Sequence, residues 1–341
     1  MRGWCPGSSA FENSLQSSAV GITYRPATLD DAELASDLMS AAYPAMAQDR
    51  VMLRYRWERP RAGFESARYI AEKSGQPIAF LAWLHGPWAE TPDRHCEVEV
   101  WLDADHLDRE VLSTMWSWIG DQAVEQGTRM LLAYCGEDEL EMLDVLASLG
   151  YSRERSEKVW ELDLKAHGPR IQAEAKDASR TAEGDGIAFT TLADWSDPEA
   201  LRKLHELDAR TRQDIPVSFA LVRETYDDFV RRASSPDRPA ARFWIALDGS
   251  EPVALSYLRF PPIRGAVWTG YTCSHPRYRG RGLARGVKLQ SLAQAVDLGV
   301  PSVWTDNDGE NGPMLHINER LGYAQRPGLV EHHKRVRPNG G

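Results

Sequence analysis

The 341 residues are too many for one ordinary core, which stops growing at about 250–300 residues, and comfortable for two. With 42% hydrophobic and 26% charged residues, the composition is that of a soluble globular protein and excludes wholesale disorder, collagen and coiled coil; no stretch approaches the ~20 apolar residues of a membrane span. A formal net charge of −10, from 40 Lys+Arg against 50 Asp+Glu, argues against a protein that lives on phosphate backbones through bulk electrostatics.

In chain order, residues 1–20 carry one Arg and no apolar core, so they read as a disordered tail rather than a secretory signal. Residues 21–165 read as a first domain. A polar stretch without aromatics, residues 166–186, reads as a linker, and residues 187–337 as a second domain. The two domains carry a faint internal repeat. The run from Pro77 to Leu84 matches that from Pro252 to Arg259, each after a Gly-containing turn, and Leu149-Gly150-Tyr151 matches Leu321-Gly322-Tyr323, 172 residues later. Each half reads as early helix, hairpin, strand, long helix, strand, short helix and final strand: an α+β fold of the three-layer α/β/α type, built twice. Cys5, Cys96, Cys135 and Cys273 lack metal or disulfide spacing. They read as free thiols in a reducing cytoplasm, and no metal site is expected.

The chemistry concentrates at Arg277-Tyr-Arg-Gly-Arg-Gly282, between a strand ending at Ser274 and a helix beginning near Leu283. Gly280 and Gly282 let the backbone curl, the first helical turn leaves unpaired amides, and Arg277, Arg279, Arg281 and Arg285 supply positive charge. Such a turn suits a pyrophosphate. An unliganded Arg/Gly surface turn is the competing reading, and the strand before and helix after count against it.

These residues resemble the acyl-CoA N-acyltransferases of the GNAT (Gcn5-related) superfamily. That family's Arg/Gln-x-x-Gly-x-Gly/Ala motif is met by Arg277, Gly280 and Gly282, and the run from Thr305 through Asn307, Asn311, Met314 and Asn318 to Tyr323 is similar to the segment closing the fold in one branch. The resemblance covers roughly residues 187–337; the first half joins it through the repeat and weak patterning. It implies two tandem domains, each a mixed, mostly antiparallel sheet flanked by helices. It implies acetyl-CoA or another acyl-CoA as donor, with its pyrophosphate on Arg277, Arg279, Gly280, Arg281, Gly282, Leu283 and Ala284. The pantetheine would lie between two splayed strands against Thr272, Cys273 and Ser274, with Asn307 and Asn311 either lining the groove or serving as turn residues.

At the same 172-residue offset the first half reads Asp105-His-Leu-Asp-Arg-Glu110, without glycine and with three carboxylates, so it is expected to have the fold without the cofactor and to wall the acceptor pocket. Its tryptophans, among them Trp57, Trp83, Trp101, Trp116, Trp118 and Trp160, read first as packing and second as an aromatic cradle. The family's usual strand Glu and its Tyr acid are missing, the latter position holding Asn318. Asp214 is the first candidate for an acceptor-side base, Tyr271 for proton exchange, with Asp208 and Glu206 behind them; Cys273 reads as an inert small hydrophobe, and His332 and His333 as an exposed strand pair. The expectation is acyl transfer, by direct attack in a ternary complex, to a primary amine of a small molecule such as a natural-product intermediate or an antibiotic, by a cytoplasmic monomer or homodimer that touches neither membrane nor, unless tRNA, nucleic acid. An aminoacyl-tRNA donor and a non-catalytic acyl-CoA sensor are the alternatives.

Overall fold

The computed structural model describes residues 21–336; the expected tail, with Cys5, lies outside them. The first half runs β1 (Ile22–Pro26), α1 (Ala32–Ala42), α2 (Arg50–Glu58), β2 (Glu65–Lys73), β3 (Gln76–His85), β4 (His95–Leu102), α3 (Arg109–Glu125), β5 (Met130–Gly136), α4 (Leu140–Ser148) and β6 (Ser152–Asp163). After α5 (Leu164–Gly184) the second half repeats the order: β7 (Ile187–Thr191), α6 (Ala200–Arg212), α7 (Tyr226–Ala233), β8 (Phe243–Asp248), β9 (Glu251–Arg259), β10 (Val267–Ser274), α8 (Leu283–Asp297), β11 (Ser302–Asp308), α9 (Gly312–Leu321) and β12 (Ala324–Arg335). The order read from sequence holds in both halves, with an opening strand added to each.

The Leu-Gly-Tyr repeats stop α4 and α9 in the same way. Gly150 and Gly322 sit at φ of 85° and 87°, where a Cβ is disfavoured, and the following tyrosine N–H donates to the carbonyls of Leu146 and Asn318 at 3.0 and 3.1 Å. Tyr151 and Tyr323 then enter separate cores.

Where two partial sheets were expected, the described strands form one 12-stranded sheet, ordered β1-β2-β3-β4-β5-β12-β6-β11-β10-β9-β8-β7. Each half's last strand has crossed into the other: β12 pairs β5 across seven residues from Leu329↔Gly136 to Arg335↔Met130, and β6 pairs β11 from Ser302↔Asp163 to Asp308↔Glu157. Period-2 alternation shows the exchange in the packing. Trp160 and Leu162 of β6 are buried in the second half's core with Leu289, Leu292 and Val303, while Val336, just past β12, packs on the first half's core. Boundaries drawn along the sequence therefore do not coincide with boundaries in space.

The expected linker is helix α5. Its buried residues Leu164, Gly168, Ile171 and Ala175 share one face at helical spacing, and Ile171 and Ala175 lie in the core beneath α8. At Gly168 a Cβ would meet Val296 Cγ1 at 3.1 Å, so the glycine sets how closely α5 approaches α8.

Candidate functional site

Strands β10 and β11 are parallel and pair only at Val267↔Val303 and Trp268↔Trp304. Immediately beyond, the register of β10 against β9 shifts between Thr269 and Tyr271, a bulge centred on Gly270, and the two strands part. Gly270 is required there: a Cβ would lie 2.1 Å from the buried Tyr257 ring. The result is a V-shaped gap with unpaired backbone groups on the facing edges of β10 and β11.

At the mouth of the gap, β10 leads through His275 and a 3₁₀ turn (Pro276–Tyr278) to α8. Gly280 and Gly282 sit at φ of 77° and 75°, and no atom lies within 4 Å of where a Cβ would stand, so conformation rather than space selects glycine. Gly282 is the N-cap of α8 and offers no side chain to its amides, which stay open to a ligand. Arg277, Arg279 and Arg281 are exposed around the turn. Leu283 is buried beneath it, and Ala284 half-buried.

The equivalent position in the first half is Asp108, the N-cap of α3, two residues from where the 172-residue offset points. Its carboxylate already accepts from the amides of Glu110 and Val111, at 2.9 and 3.1 Å. Asp103 similarly takes the amide of Asp105. The first half has thus capped with its own carboxylates the donors that the second half leaves free.

On the α8 side of the gap, Thr272 shares a hydrogen bond with Ser256 at 2.8 Å. Ser274 is half-buried at the strand end. Asn307, on β11, is oriented by a chain the sequence did not show. Lys288 of α8 is fully buried and donates to Asn318 Oδ1 at 2.8 Å; Asn318 Nδ2 donates to Asn307 Oδ1 at 2.6 Å. With Lys288 donating to Asn318 and Asn318 to Asn307, the Asn307 NH2 has no partner among the described residues. Burial lowers the Lys288 pKa to about 7. Asn311 is the N-cap of α9 and acts through its backbone turn, without a side-chain cap bond.

The opposite face of the sheet differs from expectation. Asp214, expected beside the acceptor, instead forms an ion pair with Arg279 at the glycine turn before α8. Tyr271 donates to Thr211 Oγ1 at 3.1 Å beneath Arg212, and burial raises its pKa. Asp208 is buried in ion pairs with Arg212 and Arg232, and Glu206 is exposed on α6. Burial pushes the Cys273 thiol up to about 12, consistent with an inert side chain; Cys96 and Cys135 are likewise buried and free. His332 and His333 are not an exposed pair: both are buried, because β12 lies inside the sheet rather than at an edge.

What the sequence reading missed is a row of carboxylates across that face, assembled by the strand exchange. Glu97 (β4), Glu331 (β12), Glu157 (β6) and Asp306 (β11) come from four strands and both halves, and each is close enough to perturb others in the row. Glu331 accepts from Ser218 and Tyr134 and meets His333 Nε2 at 2.5 Å. Burial, then the charges of Asp306, Glu331 and Asp308, raise Glu157 to about 7; burial and Glu99 raise Glu97 to about 8. Asp306 lies deep among neighbouring atoms, though open to water along the face, and its pKa is also raised. No spacing rule could find this row, since it exists only through the register of β6 and β12.

Beside the row lies a cavity of about 650 Å³ between the halves, lined from α2, β2, β3 and β4 on one side and α7 and β9 on the other. Strands β4 and β9 stand six places apart in the sheet and still share this cavity, so the sheet is bent into a trough. Trp57, Trp83 and Trp101 line it, whereas Trp116, Trp118 and Trp160 pack in cores. Asp49 ties the walls together, capping α2 and accepting the amides of Ile263 and Arg264 at 2.6 and 3.0 Å.

No family model and no curated protein matches the sequence. Among solved structures, a tandem GNAT protein from the clavulanic acid biosynthesis pathway matches with TM-score 0.73 at 18% identity, over 94% of this chain and 100% of that one. A GCN5-related N-acetyltransferase from Sphaerobacter thermophilus matches with TM-score 0.67 at 17% identity, over 93% and 96%. A putative acetyltransferase from Pyrococcus horikoshii matches with TM-score 0.52 at 12% identity, over 94% and 92%. The chain therefore has the GNAT acetyltransferase fold. More particularly, it has that fold twice, in the tandem arrangement. Among the described residues there is no group of side chains that could hold a metal ion, and no helix is long and apolar enough to cross a membrane.

Proposed function

We propose that the second half transfers an acetyl or other small acyl group from acyl-CoA to a primary amine on a small molecule. The observation that carries this is one continuous path: the uncapped N-terminus of α8, the two left-handed glycines before it, and the gap that opens between β10 and β11 beyond Trp268 and Trp304. The residues fit the donor. The α8 amides with Arg277, Arg279 and Arg281 would hold the pyrophosphate, the free edges of β10 and β11 would pair the pantetheine amides, and the Asn307 NH2 would meet a carbonyl from the β11 side.

A bound acyl-CoA supplies the thioester that the amine attacks: the C–N bond forms, the C–S bond breaks, and coenzyme A leaves as a thiolate that takes a proton from water. The chain's own contribution is to bind and orient both partners and to take the amine's proton on the trough side. Glu157 serves as the base, directly or through a water. A carboxylate with a pKa of about 7 is half-ionised at neutral pH and basic enough to accept the proton, which Asp214, spent on Arg279, is not placed to do. The first half supplies no second donor site, because Asp108 occupies its helix amides.

Calorimetric titration with acetyl-CoA tests this reading. One site per chain is expected, lost at least a hundredfold in Gly282→Asp, where a carboxylate would meet the phosphate in a left-handed backbone. Absence of binding to the wild type would overturn it.

A further inference from the structure

The 650 Å³ cavity holds more positive charge than its own carboxylates neutralise. Most of its ions are spoken for: Arg61 and Arg231 pair with Asp228, and Arg232 with Glu224. Arg56, Arg68 and Arg259 are different. Among the described residues none of the three forms an ion pair or a side-chain hydrogen bond; Arg68 only lies over the Trp57 ring, 5.0 Å from its centroid, and the Arg259 Nε is buried without a partner. Arg56 is exposed to the cavity's water and Arg68 half-buried beside it, so both guanidinium groups are open to an anion in the cavity.

The three come from α2, β2 and β9, so both halves contribute. Arg56 feels Glu99, Asp237 and Asp49 as well as Arg259, and Asp306 on β11 feels Arg259, which puts Arg259 on the side of the cavity toward the β10–β11 gap. Glu99 is held by the Trp101 indole at 2.9 Å, and Glu97 lies beside it. With Glu97, Glu99, Glu224, Asp228 and Asp237 in the same lining, the cavity is poor for a dianionic phosphate and suited to a group of single negative charge carried beside an amine. Trp57, Phe80, Trp83 and Trp101 offer apolar surface for the body between them.

We infer that the acceptor is an amino acid-like molecule, whose carboxylate is held by Arg56, Arg68 and Arg259 while its amine faces the carboxylate row. This rests on the acyl-transfer reading for the amine's fate, but the carboxylate site stands without the donor and is tested without it.

The test is calorimetric titration of the full chain, in the absence of coenzyme A, with 3-phenylpropionate, its neutral amide, and 3-phenylpropyl phosphate. The expected result is binding of the carboxylate at least about tenfold tighter than either other probe, with the preference lost in Arg259→Gln and Arg56→Gln. Equal binding of amide and carboxylate, preference for the phosphate, no binding, or a carboxylate preference that survives both substitutions would overturn the inference. Circular dichroism and thermal melts of the variants separate loss of the site from loss of the fold. Acetyl-CoA titration of the same samples reads the donor site separately, so failure of one reading leaves the other standing.

Discussion

Replacing Glu157 with Gln removes one charge from the row at nearly constant shape. In the unfolded chain a glutamate ionises near 4.5, in the fold near 7. A carboxyl whose folded pKa is raised holds its proton longer in the native state. Its stabilisation is fully present below 4.5 and is lost as pH climbs through 7. The full span corresponds to about 3 kcal/mol, of which about 2.5 kcal/mol falls between pH 5 and pH 8. The variant lacks this titration, so in urea denaturation the stability of Glu157→Gln relative to wild type should rise by about that amount between those two pH values. The raised pKa already contains the repulsion of Asp306, Glu331 and Asp308, which the variant relieves at pH 8 and not at pH 5. In thiol-release kinetics with an amine acceptor, wild-type kcat/KM should rise through about pH 7 and the variant should lose that limb with roughly a hundredfold drop in rate. A stability difference that does not change with pH would refute the electrostatic account. A preserved limb near 7 would refute the catalytic role while leaving that account intact.

Other substitutions probe separate parts of the site. Asp108→Gly should cost less than about 1 kcal/mol of stability and create no second acetyl-CoA site, because the first half still lacks the glycines and arginines of the turn; a second calorimetric site would show that the cap alone kept it closed. Lys288→Met removes a buried amine whose pKa is depressed to about 7. Between pH 7 and 10 the unfolded lysine binds more protons than the folded one, so wild-type stability should rise with pH relative to the variant, measured by denaturation at both ends. The same variant should weaken acetyl-CoA binding, since nothing then fixes the Asn318 and Asn307 amides. Gly270→Ala should destabilise by about 1–3 kcal/mol, as the new methyl displaces the Tyr257 ring, and should lower acetyl-CoA affinity by disturbing the bulge; an unchanged melting temperature would contradict the close approach.

The tandem α+β architecture, the element order and the glycine turn before α8 were legible because each is written locally. Gly-x-Gly before a helix, Leu-Gly-Tyr after one and alternating strands carry their own geometry. Helix α5 was not, since Gly168 and Pro169 look like loop residues and its buried face is built largely from small side chains. The carboxylate row was invisible for another reason. Glu97, Glu157, Asp306 and Glu331 look like solvated strand residues until the crossing of β6 and β12 places them side by side. Asp214 is far from Arg279 in sequence, and only the fold reveals that Arg279 claims its carboxylate.

The crossing of β6 and β12 also bears on how the molecule comes apart. Neither half can be produced alone with a complete sheet, because removal of residues 187–341 would strip β12 from β5 and β11 from β6, leaving long unpaired strand edges prone to aggregation. A single protease cut in α5 would break the chain's covalent continuity yet release nothing, as each fragment still holds a strand clasped between two of the other's. The two copies are thereby bound to melt together, and a lesion in the half without the glycine turn is felt in the half that has it.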